Sequence, residues 1–504
     1  MPEAALLSLS DKTGAPQLAK ALFDRGYAMY ATGGTREMLA AGGIPAKDVE
    51  EITGFPPLFG GRIKTLHPKL FGAILFDRDD ASHRDQAREH GITAFSVVAV
   101  NLYPFEEIDI GGVALLRAAA KNYRYVTVLS HPSQYEEFLA ALSRGGPDEG
   151  ARKKLAIRAF ECAAEYDAAI ARHLAQGENG NEELPGALTV AMPLLQQLRY
   201  GENPQLRAAF YLGDSGHVPE QLHGKALSYN NLLDLDATLR LLSRAPLGAE
   251  FGSQRERFAR VAIVKHTVPC GVAQRSTVQK AIGEALQADP ISAYGGILAV
   301  DGAIDLPAAR TLAPFFLEIV AAPEFAPDAL QLLRKKKNLR IMRYEPGLPD
   351  DLQRGLQLRS ALGGVLAEEE DPSFEPESWR VASARQPLKQ EWHDLALAWD
   401  VVRHVKSNGV AIVSDGVTRG ICAGQTNRVS AVQIAGARAG KLAQGAACAS
   451  DGFFPFPDGL EAAAAAGCTA IIAPSGSVRD DEVVGTADRL GVSLVFSSHR
   501  YFLH

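Results

Sequence analysis

The chain has 504 residues, 46% apolar and 22% charged, and its 59 acidic against 52 basic side chains give a net charge of −7. This ordinary globular composition excludes a largely disordered chain, and the acidic balance argues against non-specific nucleic-acid binding while leaving room for anions at local sites. At about 150 residues per domain the length calls for two to four domains.

Taken in chain order, Ala5–Leu9 reads as a buried strand, Asp11–Gly14 as a turn, Gln17–Arg25 as a helix with Leu18, Leu22 and Phe23 on one face, and Ala28–Ala31 as a strand leading into Thr32-Gly-Gly-Thr35 and a second helix. Phe95–Val100 and Val126–Leu129 are further apolar runs, and strands alternating with helices predict a parallel α/β sheet. Ala151–Leu174 has the spacing of a long amphipathic helix, followed by a linker at 176–186 rich in Gly, Asn and Glu. Beyond it, strand-like runs recur at Val261–Val264, Gly296–Val300, Val410–Ser414, Ala470–Ala473 and Ser493–Phe496, again between helices. The expected division is 1–190 and 191–504, with no internal repeat visible. No stretch reaches the ~18 uncharged apolar residues of a membrane span, and the N-terminus has neither a cationic start nor a long apolar core. The cysteines at 162, 270, 422, 448 and 468 are too few and too scattered for a disulfide framework, so a soluble cytoplasmic protein with no membrane partner is expected.

Two Gly-containing turns of the first region, Ser10–Gly14 and Thr32–Thr35, each offer hydroxyls, backbone N–H groups and a following helix N-terminus, a combination suited to an anion. Arg62, Lys64 and Thr65 in Gly60-Gly-Arg-Ile-Lys-Thr-Leu-His-Pro68 could join them in a phosphate site. The Walker A and Rossmann glycine patterns are missing, and the Pro269-Cys270 start of a deaminase-type zinc signature lacks its second cysteine, since Ala273 stands there. No metal site is expected. In Ile263–Gly271 an apolar strand runs into a Pro/Gly turn and places Lys265 and His266 at its C-terminal end, where an ammonium and an imidazole can serve proton removal beside developing negative charge. Asp451–Asp458 packs three phenylalanines into a turn, either a core cap or a platform for a flat heteroaromatic ligand.

Together these segments resemble the bifunctional AICAR transformylase/IMP cyclohydrolase family of purine biosynthesis, over nearly the whole chain and in the family's order. The resemblance rests on Ser10-Asp-Lys-Thr-Gly, Thr32-Gly-Gly-Thr, Gly61–Pro68, Asn101-Leu-Tyr-Pro-Phe105, Ile108-Asp-Ile-Gly-Gly112 and Arg117–Asn122 in the first region. In the second it rests on Leu198–Pro204, Ser228–Asn231, Lys265-His266 with Pro269-Cys-Gly, Asp289–Gly296, Val405–Asn408, Ala423-Gly-Gln425 with Arg428, Ser450–Phe456 and Arg500–His504.

The resemblance implies an α/β fold with an N-terminal methylglyoxal-synthase-like (MGS-like) parallel sheet and a C-terminal pair of cytidine-deaminase-like units without zinc. It also implies a homodimer whose transformylase sites cross the subunit interface. AICAR, FAICAR, IMP and folate are the implied small-molecule partners, with 10-formyltetrahydrofolate as co-substrate and no tightly bound cofactor. For transformylation it implies His266 as base, with Lys265 and Asn408 stabilising the oxyanion. The nucleotide and folate would be held by Arg199, Tyr200, Asn231, Gly295, Glu318, Arg428, Phe453, Asp458, Ser477, Arg500 and Phe502; whether Phe453 and Asp458 take the heterocycle or the folate stays open. For cyclisation it implies Lys64, Tyr103, Asp109 and Lys121, without a division of acid and base roles, around a phosphate held by Ser10, Lys12, Thr32, Gly34, Thr35, Arg62 and Thr65.

Three departures stand out. Only Glu106 and Glu107 separate Asn101–Phe105 from Ile108–Gly112, where the family has a longer connection. A protein with transformylase activity alone, its first domain impaired by this short 105–109 connection, is therefore the alternative; a phospho-ligand sensor fits less well, because it needs no proton-transfer set. Val268 stands where many bacterial relatives have Asn, and Gly452 where Ala is common.

Overall fold

The computed structural model describes residues 3–56, 58–59, 63–175, 184–213, 216–243, 258–370 and 376–504. The chain divides into two compact units at Pro193–Leu194.

The first unit contains β1 (Ala4–Leu9), α1 (Ala15–Asp24), β2 (Ala28–Ala31), α2 (Gly33–Ala41), β3 (Lys47–Asp48), α3 (Glu50–Thr53), α4 (Pro68–Leu75), α5 (Ala81–Glu89), β4 (Phe95–Asn101), α6 (Gly111–Lys121), β5 (Thr127–Leu129), α7 (Tyr135–Ser143) and α8 (Glu149–Ala175). Its five strands are all parallel, in the order β3-β2-β1-β4-β5. β1 and β4 are near-continuous apolar runs because helices cover both faces: Leu6 and Val98 pack into one core, Leu7 and Val97 into the other. The strand order reverses between β1 and β4, so the loops leaving their C-terminal ends flank a crevice, the usual ligand position in an open α/β sheet. The expected strands and the long helix appear close to their expected limits. Residues 176–183 of the expected linker lie outside the described residues.

The second unit opens with an antiparallel pair, β6 (Leu194–Leu198) and β7 (Ala208–Tyr211). Its first half runs β8 (Glu220–His223), α9 (Tyr229–Arg240), β9 (Ala259–Lys265), β10 (Val268–Arg275), α10 (Val278–Ala288), β11 (Ile297–Val300), α11 (Leu306–Leu312), β12 (Ile319–Ala322), α12 (Pro327–Leu333) and β13 (Arg340–Arg343). After α13 (Leu348–Asp351) and the hairpin of β14 (Leu356–Ala361) and β15 (Gly364–Glu369), a second half repeats that order. It runs β16 (Arg380–Val381), α14 (Lys389–Val402), β17 (Val410–Ser414), β18 (Val417–Cys422), α15 (Arg428–Ala439), β19 (Ala447–Ser450), α16 (Asp458–Ala466), β20 (Ala470–Pro474), α17 (Asp480–Leu490) and β21 (Ser493–Ser497). The halves join edge to edge in one sheet of 12 strands, ordered β16-β21-β20-β19-β17-β18-β10-β9-β11-β12-β13-β8. At the seam Ala273 pairs antiparallel with Val417, and the buried Thr418 hydroxyl accepts the Val272 N–H at 2.9 Å.

The expectation of no internal repeat is therefore corrected. Equivalent positions share a fold but few side chains, because helix and strand cores accept many apolar combinations of similar volume.

Candidate active sites

In the first unit the Ser10–Gly14 loop is shaped by Asn101 at the end of β4. The Asn101 side chain accepts the Asp11 N–H at 2.8 Å and returns a 2.8 Å bond to the Asp11 carbonyl, while Gly14 takes φ 69° to start α1. Thr32 caps α2 from an extended conformation, its hydroxyl 3.0 Å from that of Ser8. Over this helix start two ammonium groups converge: a Cβ on Gly34 would lie 3.8 Å from Lys12 Nζ, and one on Gly33 would lie 3.9 Å from Lys64 Nζ. Two cations beside the N–H groups of an α-helix N-terminus form an anion cradle. Thr35 does not face it: the side chain is buried and its hydroxyl both accepts the Leu9 N–H and donates to the Leu9 carbonyl, so it fixes β1 against α2. Thr65 is also buried, beneath Gly111, where a Cβ would come within 2.6 Å of its hydroxyl. Arg62 lies outside the described residues.

The short connection is ordered. Phe105–Glu107 forms a 3₁₀ turn, Phe105 packs edge-on against His173, and the Tyr166 hydroxyl accepts the Asp109 N–H at 2.7 Å while lying 3.4 Å from the Pro104 carbonyl. Burial first, then the nearby acidic groups, raises the Tyr166 pKa and keeps it a neutral phenol. Asp109 in turn accepts the Gly112 N–H at 2.7 Å at the start of α6, and a Cβ on Gly112 would overlap that carboxylate. Tyr103 is half exposed beyond β4. Lys121 stands apart: α6 carries it about 15 Å from Asp109's end, at 1.5 Å per residue. It lines an apolar cavity of about 760 Å³ with Phe71, Tyr123 and Phe160.

In the second unit strand register gathers the expected residues along one sheet edge. β9 ends at Lys265, and Val268 pairs straight back to Lys265, so His266 and Thr267 form a two-residue hairpin turn at φ 55° and 61°. The turn therefore precedes Pro269-Cys-Gly271, which lies within β10; this corrects the expected Pro/Gly turn. Gly271 is needed for packing, since a Cβ there would sit 2.2 Å from the Ala285 carbonyl oxygen. Asp234 on α9 accepts both turn amides, His266 at 3.3 Å and Thr267 at 2.6 Å. Lys265 Nζ donates to the Tyr294 carbonyl at 2.8 Å, next to Gly295, whose φ is 75°. Burial, then Asp289, pushes the Cys270 thiol up to about 12.

Further along the same edge, just before β17, is Asn408. Its Nδ2 donates to the Gln425 carbonyl at 2.8 Å, leaving its second N–H available. Beside it the fully buried Asp451 accepts the Ser407 hydroxyl at 2.5 Å and the Gly409 N–H at 2.9 Å, and pairs with Arg428. Arg428 is thus engaged from within, with a further 2.9 Å bond to Ser450. The tail is strapped to the same hub: the Tyr501 N–H donates to the Asp451 carbonyl at 3.0 Å, and the Ser407 N–H to that of Leu503 at 2.8 Å. A Cβ on Gly452 would lie 2.5 Å from Arg428 Nη2 and 2.7 Å from the Phe502 ring, so the space of the common alanine is filled here.

Asp458 opens α16, Ser477 precedes α17, Phe453 is half-buried beyond β19, and the Arg500 guanidinium stacks 4.8 Å from the Phe502 ring. Asn231 has a capping role, exchanging bonds of 3.2 Å with Ser228 at the start of α9. Arg199 stacks on Tyr200 at 4.7 Å, on the loop whose Glu202 carbonyl accepts Asn230 Nδ2. Glu318 pairs with Arg340 at 2.7 Å. It lies seven strands from β20, about 34 Å at 4.8 Å per strand, so one ligand cannot touch both Glu318 and Ser477.

Sequence reasoning missed Asp234, Tyr166 and the organising roles of Asn101 and Asp451. Asn101 and Asp451 fell within recognisable motifs; Asp234 and Tyr166 act across long separations and carry no local signal.

The AICARFT/IMPCHase bienzyme family matches residues 119–438, and an MGS-like domain matches residues 14–124. The chain belongs to the AICARFT/IMPCHase bienzyme family. Its relatives include the bifunctional purine biosynthesis protein PurH of Bacillus cereus strain AH187, 42% identical over 526 aligned positions, and that of strain B4264, 43% identical over 526, each covering all of both chains. A solved chain described as the crystal structure of ForH covers 34% of this chain and all of its own, at 34% identity and a TM-score of 0.33. The bienzyme family accounts for a parallel first unit followed by an α/β second one. Among the described residues no helix is long and apolar enough to cross a membrane.

Proposed function

We propose that the two sites of this bifunctional enzyme of purine biosynthesis divide between its units, with formyl transfer at the His266 edge and ring closure at the Lys12–Lys64 cradle. The observation that carries the reading is the convergence of Lys12 and Lys64 on the Gly33-Gly34 helix start, while Lys265, His266 and Asn408 share a separate sheet edge.

In formyl transfer the 5-amino group of AICAR attacks the formyl carbon of 10-formyltetrahydrofolate. That amine is conjugated to the imidazole and is a poor nucleophile, so it needs a base to take its proton as it attacks; His266, exposed at its turn, fills that role. The tetrahedral oxyanion is stabilised by the Lys265 ammonium and the spare Asn408 N–H. Collapse expels tetrahydrofolate and leaves FAICAR. In ring closure the carboxamide nitrogen attacks the formyl carbon and water leaves, giving IMP. Ser10, Lys12, Thr32 and Gly34, with Arg62, hold the phosphate, while Lys64, Tyr103 and Asp109 manage proton transfer and charge. Thr35 and Thr65 support the cradle from below, and Lys121, at the far end of α6, makes no contact with the reacting atoms in this reading.

The folate is a co-substrate, and no resident cofactor is required by either step. The separation of Glu318 and Ser477 by seven strands of the sheet supports a homodimer in which each transformylase site draws on both subunits. Five free cysteines fit a reducing cytoplasm.

The test is separation of function. With AICAR and 10-formyltetrahydrofolate supplied, Lys64→Ala should accumulate FAICAR with little IMP. His266→Ala should slow formyl transfer by about 10²–10⁴-fold yet cyclise supplied FAICAR at the normal rate. Loss of both activities in either variant overturns the division. A wild-type chain that itself accumulates FAICAR would identify a first unit disabled by its short connection.

A further inference from the structure

The His266 imidazole has no hydrogen-bond partner among the described residues, so the backbone that carries it is the part of its placement held by hydrogen bonds. That backbone is unusual: His266 and Thr267 both lie in the left-handed region, at φ 55° and 61°, and neither is glycine or asparagine. A β-branched residue such as Thr267 is an outlier there. Asn-Gly would make the turn more easily but would remove the imidazole.

The counterforce is Asp234. Its Oδ2 accepts the His266 N–H and its Oδ1 the Thr267 N–H, so each carboxylate oxygen holds one amide of the turn. α9, which carries it, is itself anchored by the Ser228–Asn231 capping box and by the bond from Asn230 to the Glu202 carbonyl. The second half provides a comparison inside the same molecule. Asp394 on α14 accepts the Asp415 N–H at 3.0 Å and the Gly416 N–H at 2.7 Å, through the same pair of oxygens, at φ 50° and 65°. There the turn residues are types that accept positive φ without help.

We propose that Asp234 is the positioning residue of formyl transfer: it holds the left-handed His266–Thr267 turn and so aims the imidazole. This rests on the reading of His266 as the base. An asparagine at 234 could accept only one of the two amides and would turn an NH₂ group toward the other, whereas glycine at 267 would relieve much of the strain that the carboxylate opposes.

The experiment compares Asp234→Asn, Asp394→Asn, Asp234→Asn/Thr267→Gly and His266→Ala in the full chain, measuring transformylase kcat, KM for AICAR and cyclisation of supplied FAICAR. Asp234→Asn should lower transformylase kcat by about 10–100-fold with KM for AICAR changed less than about threefold and cyclisation unchanged, as expected of a misplaced but intact base. Adding Thr267→Gly should recover most of that loss, and Asp394→Asn should stay within about threefold of wild type. Asp234→Asn with normal kcat alongside a crippled His266→Ala overturns the positioning role. So does equal loss in Asp234→Asn and Asp394→Asn, which would mark a general loss of stability. A normal His266→Ala would instead overturn the assignment of the base.

Discussion

At the tip of β9–β10 the amides of His266 and Thr267 point into Asp234, and at the tip of β17–β18 those of Asp415 and Gly416 point into Asp394. The likeness continues inward. Gly271 faces the Ala285 carbonyl and Gly420 that of Ala435, each too closely for any Cβ. Asp301 accepts the Arg260 N–H at 2.7 Å, and Asp451 accepts the Gly409 N–H at 2.9 Å. What differs is cargo. One turn follows Lys265 and carries His266, while its counterpart follows Ser414 and carries Asp415, paired with Arg275. Asp451 adds Ser407 and Arg428 to its shared backbone bond. A few backbone-capping carboxylates and close-contact glycines thus reproduce the scaffold, and the residues placed on it decide where chemistry occurs. One half contributes a reactive turn and the other a buried polar hub, and the antiparallel seam brings both to one edge.

The comparison is broken most severely at the hub. Asp451→Asn leaves the Arg428 guanidinium without its buried counter-ion, and breaking such a pair costs about 3–5 kcal/mol. The second unit should lose that much in urea unfolding, with transformylase activity abolished and cyclisation retained. A loss under about 1 kcal/mol would show that Asp451 organises nothing.

The equivalence of the halves is tested more finely by Gly271→Ala and Gly420→Ala. The new Cβ would lie 2.2 Å from one carbonyl oxygen and 2.0 Å from the other, so each should cost about 1–3 kcal/mol and lower the melting temperature of the second unit by similar amounts. Only Gly271→Ala should also disturb formyl transfer, because it displaces the strand that begins at the His266 turn. Clearly unequal melting temperatures would show that the halves are not packed alike.

The smallest effect belongs to Asp415→Asn. It removes an exposed ion pair with Arg275, worth about 0–1 kcal/mol, and keeps a residue tolerant of positive φ. Formyl transfer should stay within about twofold of wild type; a tenfold loss would place unrecognised chemistry at the second turn.

Much of this arrangement could be read from the residues. Periodicity located the strands because buried parallel strands are apolar throughout, and Lys265 and His266 stood out at the end of such a run. The sequence points to a turn at Pro and Gly, the usual local punctuation, whereas the real turn is made from residues that disfavour it and is held by a carboxylate 32 residues earlier. Arg428, Asn231 and Thr35 read as ligand-binding residues because their side chains can bind phosphate or base, and what the sequence does not show is the partner each already has inside the fold. Those partners are Asp451, Ser228 and the Leu9 backbone. The duplication is not visible in the sequence because what survives of it there is a few carboxylates and glycines set about 150 positions apart.

The seam at Ala273 and Val417 has a consequence for variation. In a symmetric pair of identical subunits every substitution appears twice, so a change that improves one turn is imposed on the other. Here the two edges that meet belong to one chain. Where they meet at Ala273 and Val417, β10 and β18 shield each other's edge, as two copies of a half would, yet each side can change alone. A tip carrying an imidazole and a tip carrying a carboxylate can therefore coexist on one framework.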